Sequence, residues 1–179
     1  MFDLAGGDIG WANRKRKATT RDPKERYVEI ADRLCERGWF GQKTGRGFYL
    51  YEEGSRIGIE DPEVLDIIAG ERSTKGIRAR EYSPEEIIRR YIGAMVNEAA
   101  KVLEEKVARC PSDIDVVQHY GYGFPRYRGG PMKYADMYGI RKIVEDIEEF
   151  SVEDPFFWKP SELLKTMAAQ GQTFEDLNL

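Results

Sequence analysis

The sequence predicts an all-α chain made of two related helical modules, the first truncated at its N-terminus. Three observations carry this. Helix caps and apolar residues at three- and four-residue spacing recur through most of the 179 residues. A charged, glycine-containing stretch divides the chain before its middle. Shifted against itself by 133 residues (Asp3 onto Asp136), the chain matches at both ends: Asp3, Leu4 and Gly6 face Asp136, Met137 and Gly139, while Glu29, Ile30, Leu34 and Gly38 face Glu162, Leu163, Met167 and Gly171. A period this long implies duplicated domains rather than a solenoid of short repeats. The second copy carries a long helix before Asp136 and the first has two residues before Asp3, so the chain is expected to begin inside a module.

In the first module ERYVEIADRLCERG reads as a helix. GFYLYEEGSRIG, with alternating aromatics followed by a turn-like Glu-Gly-Ser, predicts a short hairpin near 47–58. ERSTKGIRARE is poor in periodic apolar residues and sets the expected linker, 71–82, between modules at 1–70 and 83–179. The second module opens on SPEEIIRRYIGAMVNEAAKVLEEKVA. Ser83 and Glu86 form a capping-box pattern, Pro84 takes the first helical position, and Ile88, Ile92, Met95, Ala99 and Leu103 define a face that Ile87, Val96 and Val102 widen. This helix is expected to be central and largely buried. Further starts lie at Ser112, with Asp115 three residues on, and at Pro131, with Gly139 as stop and as opening of the next helix. There Ile140, Ile143, Val144, Ile147 and Phe150 share one side, and Pro160 to Gly171 closes the chain with a last helix.

Composition narrows the function. Twenty-eight lysines and arginines against 32 aspartates and glutamates leave a net charge of −4, which gives no general electrostatic reason to seek nucleic acid or an anionic membrane. Two cysteines, Cys35 and Cys110, are too few for a secreted disulfide framework and favour a reducing compartment. No apolar run approaches the roughly 20 residues that cross a bilayer, the N-terminus lacks the pattern of a signal peptide, and the final DLNL is not the usual peroxisomal tripeptide. A cytoplasmic location is the simplest expectation.

Several motifs invite functional readings. GQKTGRG, Gly41 to Gly47, is not a phosphate loop, because Gln42 holds the place of the glycine before the lysine; nor is it a dinucleotide fingerprint, because Leu50 stands where the last glycine belongs. It is expected to be a structural turn with Gly45 or Gly47 at positive φ. His119 and the two cysteines show no metal-ligand spacing. RKRK, Arg14 to Lys17, reads as a solvated helix face more readily than as a nucleic-acid or phosphate patch. HYGYGFPRYRGGPMKYAD interleaves Tyr120, Tyr122, Phe124 and Tyr127 with glycines between two helix starts, which is the composition of a packed helix corner; Arg126 and Arg128 exceed what corner packing needs.

DLAGGDIGW, IADRLCERGWFGQKTGRGFYLY, NEAAKVLEEKVA and SDIDVVQHYGYGFPRYRGGPMKYAD, in this order, resemble the C-terminal part of the 3-hydroxyacyl-CoA dehydrogenase region of multifunctional fatty-acid β-oxidation enzymes. The resemblance implies helical domains of the 6-phosphogluconate dehydrogenase C-terminal-like kind behind an NAD-binding domain that supplies the catalytic histidine and glutamate. It implies NAD and an acyl-CoA substrate for the intact enzyme, and no catalytic, cofactor or metal residue in this chain. At the second-copy counterpart of the family's active-site asparagine stands Arg89. Phe124, Arg126, Tyr127 and Arg128 become candidates for contact with another domain; the alternative for the two arginines is a CoA phosphate. Partners are then the upstream NAD-binding domain, with no nucleic acid and no membrane span. A truncated first module is expected to leave apolar surface near Phe2, Leu4, Ile30 and Leu34 and so to self-associate. The competing reading is a free-standing interaction module that binds through the Tyr120 to Arg128 loop.

Overall fold

The computed structural model of the chain describes residues 2–178; Leu179, the last residue of the DLNL terminus, lies outside them. The chain divides into two compact units, one ending at Glu81 and one beginning at Tyr82. It is all-α apart from one two-stranded antiparallel sheet among the described residues.

The first unit holds α1 (Phe2–Ala5), α2 (Gly7–Lys17), α3 (Ile30–Glu36), β1 (Tyr49–Leu50), β2 (Ile59–Glu60) and α4 (Pro62–Thr74). The hairpin expected near 47–58 forms with Tyr49 opposite Glu60 and Leu50 opposite Ile59, its second strand lying just past the expected limit. Within ERYVEIADRLCERG the helix starts only at Ile30. The backbone N–H of Glu29 donates to the Glu71 carboxylate at 2.9 Å, a contact made outside the helix.

The expected linker begins inside α4. Glu71 is buried, pairs with Lys75 at 2.6 Å and Arg33 at 3.4 Å, and ties the helix to the chain before α3. Charge that reads as solvated is here an internal clamp. Asp61 caps α4 by accepting from the Glu63 N–H at 3.1 Å, with Pro62 next in line. Its carboxylate also accepts two bonds from Arg46, at 2.6 and 3.0 Å, and the Arg46 guanidinium lies 3.6 Å from the Trp39 ring centre. The apolar core of this unit is small: Leu34, Cys35 and Val64. Leu34 is thus fully covered, against expectation, because α4 packs on α3; Phe2 and Ile30 are half-buried, and of the four only Leu4 is exposed.

The second unit holds α5 (Pro84–Glu104), α6 (Pro111–Tyr122), α7 (Pro131–Tyr138), α8 (Ile140–Ser151) and α9 (Glu162–Gln170). The Ser83 hydroxyl accepts from the Glu86 N–H at 3.1 Å, so α5 starts where the sequence places it, whereas the last helix begins at Glu162 rather than at the expected Pro160, because the Ser161 hydroxyl caps it by accepting from the Leu164 N–H at 3.2 Å. α6 does not start at Ser112. Its N-cap is Cys110, and the Ser112 hydroxyl lies 3.2 Å from the Cys110 thiol instead. The predicted face of α8 is buried in full, and with Ile92, Val96, Ala100, Met132, Leu164, Met167 and Phe174 it makes one apolar cluster. At about 1.5–3 kcal/mol per buried large side chain, this cluster dominates the stability of the unit. Asn97, buried on α5, donates to the Lys159 carbonyl at 2.9 Å and accepts from the Ser161 N–H at 2.8 Å, fixing the entry to α9.

The two units repeat each other in local detail at the 133-residue offset. Gly6 and Gly139 break the chain between short helix and long helix with the same left-handed geometry, φ 93° and ψ 121° against φ 105° and ψ 119°, which a side chain would resist. The N–H of Trp39 donates to the Leu34 carbonyl and that of Gln172 to the Met167 carbonyl, each at 3.0 Å, closing α3 and α9 alike. Asp3 accepts from the Phe48 and Tyr49 N–H groups at 2.9 and 3.1 Å; Asp136 accepts from those of Phe174 and Glu175 at 2.7 and 3.0 Å. The offset has dropped to 126 there (Phe48 to Phe174), so the first copy has seven more residues in its turn.

Replacing Asp3 with Ala leaves two backbone donors without their acceptor, as does Asp136→Ala; each is expected to destabilise its own unit by about 2–4 kcal/mol in chemical denaturation. Trp39 and Trp158 fluorescence reports the units separately. Arg46 holds the Asp61 carboxyl below its ordinary range, and Lys75 and the Glu29 N–H do the same for Glu71. A carboxylate depressed on folding adds stability that is complete above its unfolded pKa, about 4, and is lost as pH falls through the folded value. The first unit is therefore expected to weaken progressively below about pH 5, and Asp61→Asn to flatten that dependence, read by thermal unfolding across a pH series.

Candidate functional site

The corner between α6 and α7 is built from glycines and one buried aromatic. Gly123, in the left-handed region, ends α6 and turns Phe124 inward, where its N–H donates to the Gln118 carbonyl at 3.0 Å and its ring joins the core. His119 donates from Nδ1 to the Phe124 carbonyl at 3.1 Å and meets its ring edge-on, so the lone histidine is a helix-end residue satisfied by its neighbour. Arg126–Arg128 forms a single 3₁₀ turn. Asp115 then crosses to α7 and accepts from the Met132 and Lys133 N–H groups at 2.8 and 3.1 Å, a helix cap supplied from another helix. A Cβ on Gly130 would lie 2.3 Å from the Asp115 side chain, so the close approach requires glycine. Burial pushes the Asp115 carboxyl up.

Of the four residues that the sequence singles out, Phe124 belongs to the core and the other three to the surface. Tyr127 is 83% exposed, Arg126 is exposed with its guanidinium 5.3 Å from the Tyr120 ring centre, and Arg128 is half-buried between the Tyr127 and Tyr134 rings at 5.4 Å from each. The turn thus displays aromatics beside arginines, the residue types that carry binding energy at protein interfaces. Beside it open two grooves. One of about 260 Å³ is lined by Ile88, Tyr91, Tyr122 and Arg128; another of about 560 Å³ runs between α5 and α6 along Met95, Val102, Val107 and Val117. The sequence places Ile88, Met95 and Val102 on the apolar face of α5 but does not disclose the grooves: that face is wider than one layer of partners can cover, and Ile87, Ile88 and Tyr91 are left exposed.

Arg89 is fully engaged. It donates to Asp146 from Nε at 3.0 Å and Nη2 at 2.5 Å, and to Glu149 at 2.5 Å, while the Tyr138 hydroxyl donates to the other Asp146 oxygen at 3.0 Å. The two carboxylates raise its pKa above the ordinary arginine value. An arginine so held serves as a strut between α5 and α8. The GQKTGRG segment is likewise engaged within the unit: Lys43 bonds Asp8 at the surface at 2.5 Å, and a Cβ on Gly47 would lie 2.4 Å from Asp3 Oδ1. Positive φ falls on Gly45, as expected, and on Gly41, whereas Gly47 is required for contact. Among the described residues no group of His, Cys, Asp or Glu side chains is placed to hold a metal ion, and no helix is long and apolar enough to cross a membrane.

The two units, each with an aspartate-closed motif and the second with its glycine–aromatic corner, are those of a 3-hydroxyacyl-CoA dehydrogenase C-terminal domain. The chain belongs to this family: the model for "3-hydroxyacyl-CoA dehydrogenase, C-terminal domain" matches residues 1–51 and 87–175. It is 42% identical to the peroxisomal bifunctional enzyme of Danio rerio, over 96% of this chain and 26% of that protein, and 39% identical to the human one over the same shares. The α subunit of the fatty acid oxidation complex of Shewanella amazonensis is 36% identical over 97% of this chain and 24% of its own. The chain thus spans about a quarter of the length of these relatives. Among solved structures, the dehydrogenase part of a multifunctional enzyme from C. elegans superposes with a TM-score of 0.68 at 25% identity, covering 92% of this chain and 37% of that one. The 3-hydroxybutyryl-CoA dehydrogenase of Escherichia coli gives 0.65 at 17% identity, over 94% and 50%, a likeness of fold alone.

Phe124→Ala is expected to cost the second unit about 3–5 kcal/mol; Arg126→Ala and Tyr127→Ala should change stability by no more than about 0.5 kcal/mol, as surface residues do. Arg89→Ala leaves Asp146 buried without its cation and is expected to cost about 3 kcal/mol or more, measured by urea denaturation.

Proposed function

We propose that this chain forms the helical C-terminal portion of an NAD-dependent (S)-3-hydroxyacyl-CoA dehydrogenase of fatty-acid β-oxidation, within a multifunctional enzyme. The observation that carries the reading is the family match on both units at once. The parent reaction oxidises a 3-hydroxyacyl-CoA to the 3-ketoacyl-CoA with NAD as hydride acceptor. The residues of this chain do not fit that cofactor. A dinucleotide needs a glycine-rich turn between a parallel strand and a helix, and here the glycine-rich segment wraps round the Asp3 carboxylate. His119 and the buried carboxylates of Asp61 and Glu71 are spent on backbone and cation partners.

The part assigned to the chain is architectural: it supports the cofactor domain and meets it, or a neighbouring domain, through Arg126, Tyr127 and Arg128, with Phe124 anchoring the turn from inside. A cytoplasmic location belongs to the same proposal and rests on two unpaired cysteines. The word peroxisomal in the names of several relatives sets the competing compartment, and imaging of the tagged full-length protein decides between them.

Purified alone, the chain is expected to leave NADH absorbance unchanged with acetoacetyl-CoA. Fused behind the preceding portion of the Danio rerio enzyme, it is expected to support turnover. Arg126→Glu with Tyr127→Ala in the fusion should lower its melting temperature without unfolding the isolated chain. Turnover by the isolated chain would overturn the architectural reading.

A further inference from the structure

The basic stretch that reads as a solvated face lines a cleft. α2 ends at Lys17, and the following segment folds back so that Arg14, Arg16, Lys17 and Arg21 surround a space of about 610 Å³, joined by Asp22 and Glu25. Two of the cations are held in place. Arg14 donates from Nε to Asp32 at 2.6 Å; Arg21 donates to the Arg14 carbonyl at 3.4 Å and lies 3.4 Å from the centre of the Tyr27 ring. The Tyr27 hydroxyl in turn donates to the second Asp32 oxygen at 2.5 Å. Asp32 is thereby shared, and the buried Nη2 of Arg14 has no hydrogen-bond partner among the described residues. Asp22 is turned toward its own backbone, accepting from the Lys24 N–H at 2.8 Å.

This charge is not inherited from the shared architecture. At the 133-residue offset, Arg14, Arg16, Lys17 and Arg21 stand where the second unit has Ile147, Glu149, Phe150 and Asp154. In the second unit Ile147 and Phe150 are core and Glu149 meets Arg89. The first unit thus has cations where the second has two core residues and two acidic ones, and the segment after α2 folds back to make a cleft among them.

We propose that this cleft binds a phosphate group carried by a small soluble molecule. Four cations against three carboxylates, Asp22, Glu25 and the Asp32 that pairs with Arg14, leave the cleft net positive, which favours a phosphate monoester carrying roughly −1.5 to −2 at neutral pH. Planar guanidinium forks pair with phosphate oxygens in a way that lone ammonium groups do not, and the volume lies within the range of about 300–1,000 Å³ usual for small-ligand sites. The patch is too short and too isolated, on a chain of net charge −4, to follow a nucleic-acid backbone. The site is independent of the architectural reading above.

The test is an amide NMR titration of the 179-residue chain at constant ionic strength with pyrophosphate, with AMP and with a short oligouridylate. Saturable shifts confined to residues 13–27 with both phosphate compounds support the site; equal affinities assign recognition to the phosphate group, and tighter AMP binding adds a contact to the nucleoside. Arg16→Glu combined with Lys17→Glu, whose side chains lie at the surface, should weaken binding about tenfold or more while the spectrum of the second unit stays in place. Arg21→Lys should weaken it less, by loss of the fork alone. Shifts that never saturate or spread over other lysines and arginines, unaltered affinity in the double variant, or tighter binding of the oligouridylate than of either small compound would each overturn the proposal.

Discussion

A single carboxylate closes each unit. Asp3 and Asp136 each take two consecutive backbone N–H groups from the segment beyond the second following helix, α3 and α9 respectively, and a carboxylate that accepts backbone donors at 2.7–3.1 Å makes a charge-assisted bond stronger than a neutral one. The chain path between these points differs by seven residues in the two copies, yet the bonds are the same. The loop lengths, the left-handed glycines and the inward-turned Phe48 and Phe174 all have to be compatible with that closure.

Beyond the closure the two units are stabilised differently. The second rests on apolar layers from four helices, with Asn97 and Arg89 as isolated polar struts. The first buries few apolar side chains and organises itself round Asp3, Asp61 and Glu71, each engaged by cations or backbone donors. Breaking such a buried pair is costly because it strands the remaining charge, whereas the pair itself gives a modest net gain. The first unit is therefore specified more by partner matching than by burial.

This division explains what the sequence could disclose. The side of α8, the cap at Ser83, and the double role of Gly139 follow from local spacing, and the duplication follows from residues that keep the same offset. Glu71 was misplaced in a linker because its partners Glu29 and Arg33 lie some 40 residues away, and composition treats any acidic residue as solvated. Asp115 is hidden by a shorter separation, 17 and 18 residues to its partners: its spacing from Ser112 mimics a cap while its carboxylate reaches α7. In the corner, local grammar separated packing from surface only in part: Phe124 was grouped with Arg126 to Arg128, although the turn sends the ring inward and the guanidinium groups outward. The cleft at the end of α2 depends on a loop fold that no periodicity encodes.

One consequence concerns how the chain as a whole comes apart. A hydrophobic assembly loosens on cooling and is strengthened by strongly hydrated salts such as sulfate, while one built from partly exposed ion pairs is weakened by ionic strength. Because these two kinds of cohesion are segregated along the polypeptide, a calorimetric scan should resolve two endotherms whose separation shifts with salt. No single melting temperature then describes this molecule.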